Sequence, residues 1–292
     1  MKGIILINAY SENGDYLYQA NRLQTEFLKL NVSVEIVRNA CGIASIGEWG
    51  ERHLNLSRTP DFCVYLDKDK YTARFLERAG VRLFNPAESI FTCDDKMLTH
   101  IALSGKNIPM PDTVHAPFCY TQSAEITEGY LDDIIGKLSL PVVVKHSYGS
   151  LGREVYLAKT REQLKKYATE LRFTPHFYQK YVGEYGKDLR VIAVGGKFVA
   201  AMERSSEGKD FRSNIALGGG AVPFQRTDEV ERLTEKIADT LHLDYCGIDF
   251  LSEGGKWMVC EVNSNAYFKG MEKTTGVNVA RIYAEYILKT ME

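Results

Sequence analysis

The sequence predicts an α/β domain followed by α+β subdomains, and three observations carry that expectation. Residues 1–94 alternate short apolar runs with helical patterns, the β-α-β order of a small parallel sheet. Further along, strands no longer alternate simply with helices, and two of them flank a Gly-Gly turn. The chain has 292 residues, enough for two domains or three small ones.

Residues 3–8 read as a buried strand. Residues 16–30 place Tyr16, Leu23, Phe27 and Leu30 at helical spacing, after the turn-prone Glu12, Asn13, Gly14 and Asp15. Residues 32–37 alternate as a second strand, and residues 41–60 are less regular. Residues 62–66 form a third strand, 70–79 a helix stopped by Gly80, and 81–84 a fourth strand. No G-x-G-x-x-G follows the first strand, so that turn carries no dinucleotide signal. A helix over 94–104 precedes the polar stretch 105–111, which reads as a domain boundary.

Residues 141–146 are a continuous apolar strand and 154–158 another. A helix over 161–171 leads to a strand over 177–180. Strands 189–194 and 198–202 flank Gly195 and Gly196, a strong hairpin signal. Residues 205–220 are a long polar loop ending in three glycines. A helix over 229–241 precedes a second hairpin, and a helix over 277–291 closes the chain.

Composition is ordinary for a globular protein: 45% hydrophobic, 25% charged, net charge −2. No basic excess signals a nucleic-acid partner. The six cysteines, Cys41, Cys63, Cys93, Cys119, Cys246 and Cys260, form no C-x-x-C pair and read as reduced, mostly buried thiols. No apolar run approaches membrane-spanning length, and the apolar run after Met1 is too short for a signal peptide core. The expected location is the cytoplasm.

The second hairpin carries the chemistry. With Gly254, Gly255 and Lys256 as its loop, Asp249 lies opposite Glu261, and Asn263 shares Glu261's face. Ile248, Phe250, Met258, Cys260 and Val262 then form the apolar face. Three oxygen ligands suit magnesium; the same residues also read as two surface acids beside a turn. Lys145 ends the apolar strand and precedes a glycine-rich turn containing Gly149, Ser150 and Gly152, where backbone N–H groups can approach phosphate oxygens. Read alone, that loop is equally an ordinary turn, and it is not a Walker motif. Asp188 and Arg190 share a strand face, which taken alone is an exposed ion pair. Arg212 and Asn214 sit in the polar loop, where an arginine fork suits a transferring phosphoryl group or simply solvent. Lys96 follows Asp94 and Asp95. The six histidines show no metal-ligand spacing, and no nucleophile–base triad stands out.

In order, Asp95-Lys96, Val144-Lys145 with Gly149 to Gly152, Gln179-Lys180-Tyr181-Val182, Asp188-Leu189-Arg190, Asp210-Phe211-Arg212-Ser213-Asn214, Gly247-Ile248-Asp249, Glu261-Val262-Asn263 and the run from Gly270 to Gly276 resemble the ATP-grasp superfamily, and within it the RimK-type α-L-glutamate ligases. The resemblance covers nearly the whole chain. It implies an N-terminal α/β domain (1–94), a central ATP-grasp subdomain (95–177) and a C-terminal subdomain with the metal site (178–292), the last two enclosing ATP. It implies that Lys96 and Lys145 contact phosphates, that Gln179, Lys180, Tyr181 and Val182 line the adenine pocket largely through backbone, and that Asp188 binds the ribose. Arg190, Arg212 and Asn214 would face the phosphates and acyl intermediate, under a lid formed by Gly149, Ser150 and Gly152. Asp249, Glu261 and Asn263 would hold two Mg²⁺ or Mn²⁺ ions. The implied reaction is carboxylate–amine ligation through an acyl phosphate, adding an amino acid such as glutamate to a peptide, protein or small-molecule amine. A homo-oligomer is compatible with it.

One segment departs from the family. Ser-Pro-Gly usually follows the metal asparagine, whereas this chain has Ser264-Asn265-Ala266-Tyr267-Phe268-Lys269. That stretch resembles the ligases that act on a carrier protein in lysine biosynthesis, which keeps a carrier-protein or amino-acid ligase open. A non-catalytic ATP-binding module is the third reading.

Overall fold

A computed structural model describes residues 1–10, 14–40, 43–50, 52–56, 59–149, 154–206 and 220–292. The elements run β1 (Gly3–Asn8), α1 (Gly14–Lys29), β2 (Val34–Asn39), β3 (Ala44–Ile46), β4 (Arg52–Leu54), β5 (Phe62–Leu66), α2 (Lys70–Arg78), β6 (Arg82–Phe84), α3 (Ala87–Asp94) and α4 (Lys96–Leu103). There follow β7 (Thr113–His115), α5 (Glu128–Leu138), β8 (Val142–His146), β9 (Val155–Ala158), α6 (Arg161–Leu171) and β10 (His176–Lys180). The chain then forms β11 (Lys187–Val194), β12 (Lys197–Ser205), β13 (Gly220–Pro223), α7 (Asp228–Thr240), β14 (Tyr245–Glu253), β15 (Lys256–Asn263), α8 (Lys269–Thr275) and α9 (Val279–Thr290).

Three sheets carry the fold. The first is parallel, in the order β2-β1-β5-β6. The second is antiparallel, β7-β10-β8-β9, and the third is antiparallel, β13-β12-β11-β14-β15. A parallel sheet buried on both faces calls for unbroken apolar strands, and Phe62–Leu66 is buried at every position. The helix expected over 94–104 is in fact two. Asp95 leaves helical geometry, and its side chain accepts from the Met97 and Leu98 N–H groups, ending α3 and capping α4.

The hydrophobic clusters do not follow the sheets one to one. Ile5, Ile7, Phe62 and Val64 of the parallel sheet share a core with Ile192, Met202 and Tyr245 of the five-stranded sheet and Tyr283 of α9. A second cluster joins that sheet's other face to α7, and it takes in Cys93, Leu103 and Ile108. The four-stranded antiparallel sheet has a core of its own, in which Leu131, Ile134, Val142, Val144, Leu164 and Tyr178 meet. No helix among the described residues is long and apolar enough to cross a membrane.

Candidate active site

The hairpin of β14 and β15 sets Asp249 opposite Glu261 and Gly247 opposite Asn263. Its turn is shorter than the sequence reading supposed. Gly254 and Gly255 alone make it, at φ +58° and +80°, the left-handed conformations that a two-residue turn demands. The missing residue reappears as a register shift between Asp249 and Phe250, where Phe250 pairs with Val259 and Cys260 bulges out. The acids therefore face each other as expected, but the apolar face differs. Ile248, Phe250, Val259 and Val262 pack into the α7 core, while Met258 and Cys260 do not belong to it. A bulge shifts parity by one, so Val259 takes the place expected for Met258 and Cys260.

Arg190 pairs with Asp249 across β11 and β14, and Asp188 pairs with Arg204 across β11 and β12. Residues directly opposite share a face, so these four side chains converge on one side of the sheet. Arg190 Nε and Nη2 both donate to Asp249, the latter at 2.7 Å. Arg204 Nε donates to Asp188 at 2.6 Å, and its Nη2 lies 3.0 Å from Asp249 Oδ1. Gly247 makes space for this: a Cβ there would stand 2.4 Å from Ala266 Cβ and 3.4 Å from Arg190 Cδ. Burial works to raise the Asp249 carboxyl, but the Arg190 and Arg204 guanidinium groups overcome it and hold the carboxyl below its ordinary value. Burial likewise opposes the Arg204 charge, and Asp249 and Asp188 outweigh it and raise its pKa. Arg204 was not singled out in the sequence. A second bulge, between Ile192 and Ala193, brings it opposite Asp188; counting back from the Gly195-Gly196 turn without that bulge would place Glu203 there.

Lys96 Nζ donates to Gly149 O at 2.7 Å and lies 3.4 Å from Glu261 Oε1. Its backbone N–H donates to Ser147 O at 2.9 Å. The lysine thus ties the end of β8 to the acid hairpin. Lys145 is 7% exposed, and its ammonium donates to Gln179 Oε1 at 2.7 Å, with Cys260 Sγ at 3.4 Å. No carboxylate lies within ion-pair distance of it among the described residues. A buried cation held only by neutral groups is costly, and an arriving anion offsets that cost.

Gln179, expected to line the nucleotide pocket largely through its backbone, turns its side chain to Lys145. The Lys180 N–H is used by Asp112 O at 2.8 Å. Tyr181 and Val182 lie past the end of β10, with Val182 buried. Asp188, expected at the ribose, is held by Arg204. Ser150, Gly152, Arg212 and Asn214 lie outside the described residues.

Asp249, Glu261 and Asn263 offer carboxylate and amide oxygens, the donors a hard divalent cation takes. Arg190 and Arg204 make three contacts with Asp249. A carboxylate has about four lone-pair sites, so one stays free. The donor set fits Mg²⁺. It includes the Asn263 amide, and no group of three or more His, Cys, Asp or Glu forms a metal cluster among the described residues.

Two antiparallel sheets, with a strand-end lysine on one and an acidic hairpin on the other, define an ATP-grasp fold. Solved structures agree over the whole chain. D-cycloserine synthetase DcsG gives a TM-score of 0.74 at 14% identity, covering 100% of both chains. D-alanine–D-alanine ligase from Bacillus anthracis complexed with ATP gives 0.73 at 16%, covering 100% of this chain and 97% of that one. ATP-grasp ligase PsnB with a phosphomimetic precursor variant, Mg and ADP gives 0.70 at 14%, covering 99% and 98%. The chain belongs to the RimK-like ATP-grasp domain family, which it matches over residues 93–287. It is 35% identical over 239 residues to N-acetylaspartylglutamate synthase A of Homo sapiens, which is 81% of this chain and 60% of that protein. It is 32% identical over 222 residues to a probable α-L-glutamate ligase of Maridesulfovibrio salexigens, covering 75% and 71%. The chain spans about 60% of the length of the N-acetylaspartylglutamate and β-citrylglutamate synthases it matches.

Proposed function

We propose that this chain is an ATP-dependent carboxylate–amine ligase. One observation carries the reading: a buried Lys145, with no carboxylate partner among the described residues, reaches Cys260 on the acid hairpin, next to the Glu261 that Lys96 meets. Lys145 and Lys96 bind phosphate oxygens, and Tyr181 and Val182 border the adenine. Asp249, Glu261 and Asn263 would hold two divalent ions, whose charge would offset that of the phosphates. Arg190, joined by Arg212 and Asn214, orients the γ-phosphoryl group and the acyl carboxylate. The substrate carboxylate takes the γ-phosphoryl group, releasing ADP. An amine then attacks the acyl carbon, loses a proton, and expels phosphate to leave an amide. The protein's contribution is positioning and charge neutralisation with water kept out. On this reading the N-terminal unit ends near residue 94, the central and C-terminal units divide near residue 178, and the nucleotide cleft lies between the two antiparallel sheets.

The names of the relatives support glutamate as the amino acid joined, to a peptide, protein or small-molecule partner. The segment after Asn263 favours a second reading, another acid–amine pair. Ala266 and Phe268 are buried in the shared core there, where Ser-Pro-Gly is usual in the family. A screen of acids and amines for phosphate release with Mg²⁺-ATP tests both readings. Release that requires an acid and an amine together is the expected result. Tight ATP binding with no turnover for any pair would leave only a nucleotide-binding module.

A further inference from the structure

Lys145 sits at the head of a buried polar chain. Its ammonium donates to Gln179 Oε1 at 2.7 Å, and an ammonium has no acceptor to offer. The amide must therefore present its oxygen to the lysine and its nitrogen to the other side. There, Gln179 Nε2 donates to Thr113 Oγ1 at 2.9 Å and meets His100 Nε2 at 3.4 Å. Thr113 has already given its hydroxyl proton to Pro111 O at 2.8 Å, so its oxygen is free to accept. His100 Nδ1 lies 3.2 Å from Met110 Sδ, a weak acceptor. A Gln179 NH₂ group facing Nε2 is matched by the tautomer that carries its ring hydrogen on Nδ1 and leaves Nε2 as the acceptor.

We propose that His100 is a positioning residue for Lys145, acting through Gln179. With Thr113 it fixes which end of the amide faces the ammonium. A flipped Gln179 would turn its NH₂ group onto the NH₃⁺ group, and the lysine would leave its place at the cleft. The ring is 6% exposed, flanked by Phe177 at 6.0 Å between ring centres. Burial, then the Lys145 charge, pushes its pKa down to about 4 against a backbone hydrogen bond at Cys260 that raises it. The imidazole is therefore neutral near pH 7 and keeps the lone pair that this role needs. Four elements supply the chain: α4 gives His100, β7 Thr113, β10 Gln179 and β8 Lys145. Its consequence for nucleotide binding rests on the reading of Lys145 as a phosphate ligand.

The test is a double-mutant cycle read in the Kd for ATP. His100→Leu keeps volume and removes the acceptor; losing one hydrogen bond should weaken ATP binding about fivefold. KM for ATP should rise more than kcat falls. His100→Gln, which carries an acceptor at similar reach, should restore most of the affinity, and it covers the case in which the leucine variant folds poorly. On a Gln179→Leu background, His100→Leu should add nothing. An unchanged Kd in His100→Leu, or the same penalty with and without Gln179, would overturn the proposal. The same cycle with Lys145→Met, read in urea unfolding, separates the two possible failures. Additivity there sinks the relay itself, whereas ATP binding untouched by Lys145→Ala sinks only the nucleotide role.

Discussion

A lysine that is almost fully enclosed and, among the described residues, faces only neutral partners is the side chain on which ligand binding should depend most. Lys145→Ala should lower ATP affinity by about 10- to 100-fold, the range for charged hydrogen bonds, while the thermal midpoint stays close to the parent's. Isothermal titration with a non-hydrolysable ATP analogue reads this directly. Glu261→Ala should leave nucleotide binding without Mg²⁺ intact and remove most of the enhancement Mg²⁺ brings. Equal enhancement in both proteins would take Glu261 out of the metal set. Acidity offers a separate check on the buried imidazoles. His100 is held near 4, and burial also lowers His176, against an ordinary value of 6.5. As pH falls from 6.5 toward 4, the unfolded chain takes up protons at these rings and the folded one does not, so stability is lost on acidification. Their contribution is complete above 6.5. The urea midpoint should fall between pH 7 and pH 5, and His100→Leu should make that fall shallower.

At the level of elements, close approach of backbones carries the site. Gly247 lies where β14 meets both Arg190 and the segment after Asn263. Gly247→Ala should cost about 1–3 kcal/mol from overpacking, and by displacing Arg190 should lower turnover more than nucleotide affinity. Comparing kcat with the ATP Kd in that variant settles it. The same strands differ in how legible they are in the sequence. Apolar periodicity located β1, β5, β8 and both hairpins, since buried strands leave contiguous apolar runs in any sequence. The facing of Asp249 and Glu261 was also legible, though through a three-residue loop where the chain uses two residues and a bulge. A bulge has no composition signature; it shows only as a register shift against a partner strand. That is why Arg204 and the true apolar face went unread. Short pieces such as β13 and α8 went unread for a different reason, being too brief for periodicity to register. Lys96, Lys145 and Asp249 were legible through their order along the chain, which resembles that of the family, and not through periodicity.

On the scale of the whole molecule, the parallel sheet and the five-stranded sheet are joined by one apolar cluster. Residues 1–94 expressed alone should therefore fail to fold cooperatively, since Ile5, Phe62 and Phe27 would lose their partners on β11, β12 and α9. A sigmoidal urea transition for that fragment would contradict the shared core. The remaining unit behaves in the opposite way. The chain passes into it through β7 and out through β10, and these two strands are neighbours, with Thr113 beside Gln179 and the Lys180 N–H on Asp112 O at 2.8 Å. None of the residues in the other two clusters around the five-stranded sheet falls between these points. The whole segment is thus a cassette whose two ends already touch. Splicing residue 112 directly to 180 should yield a smaller soluble protein that keeps Asp249 beside Arg190 and has surrendered, with Lys145, its hold on nucleotide.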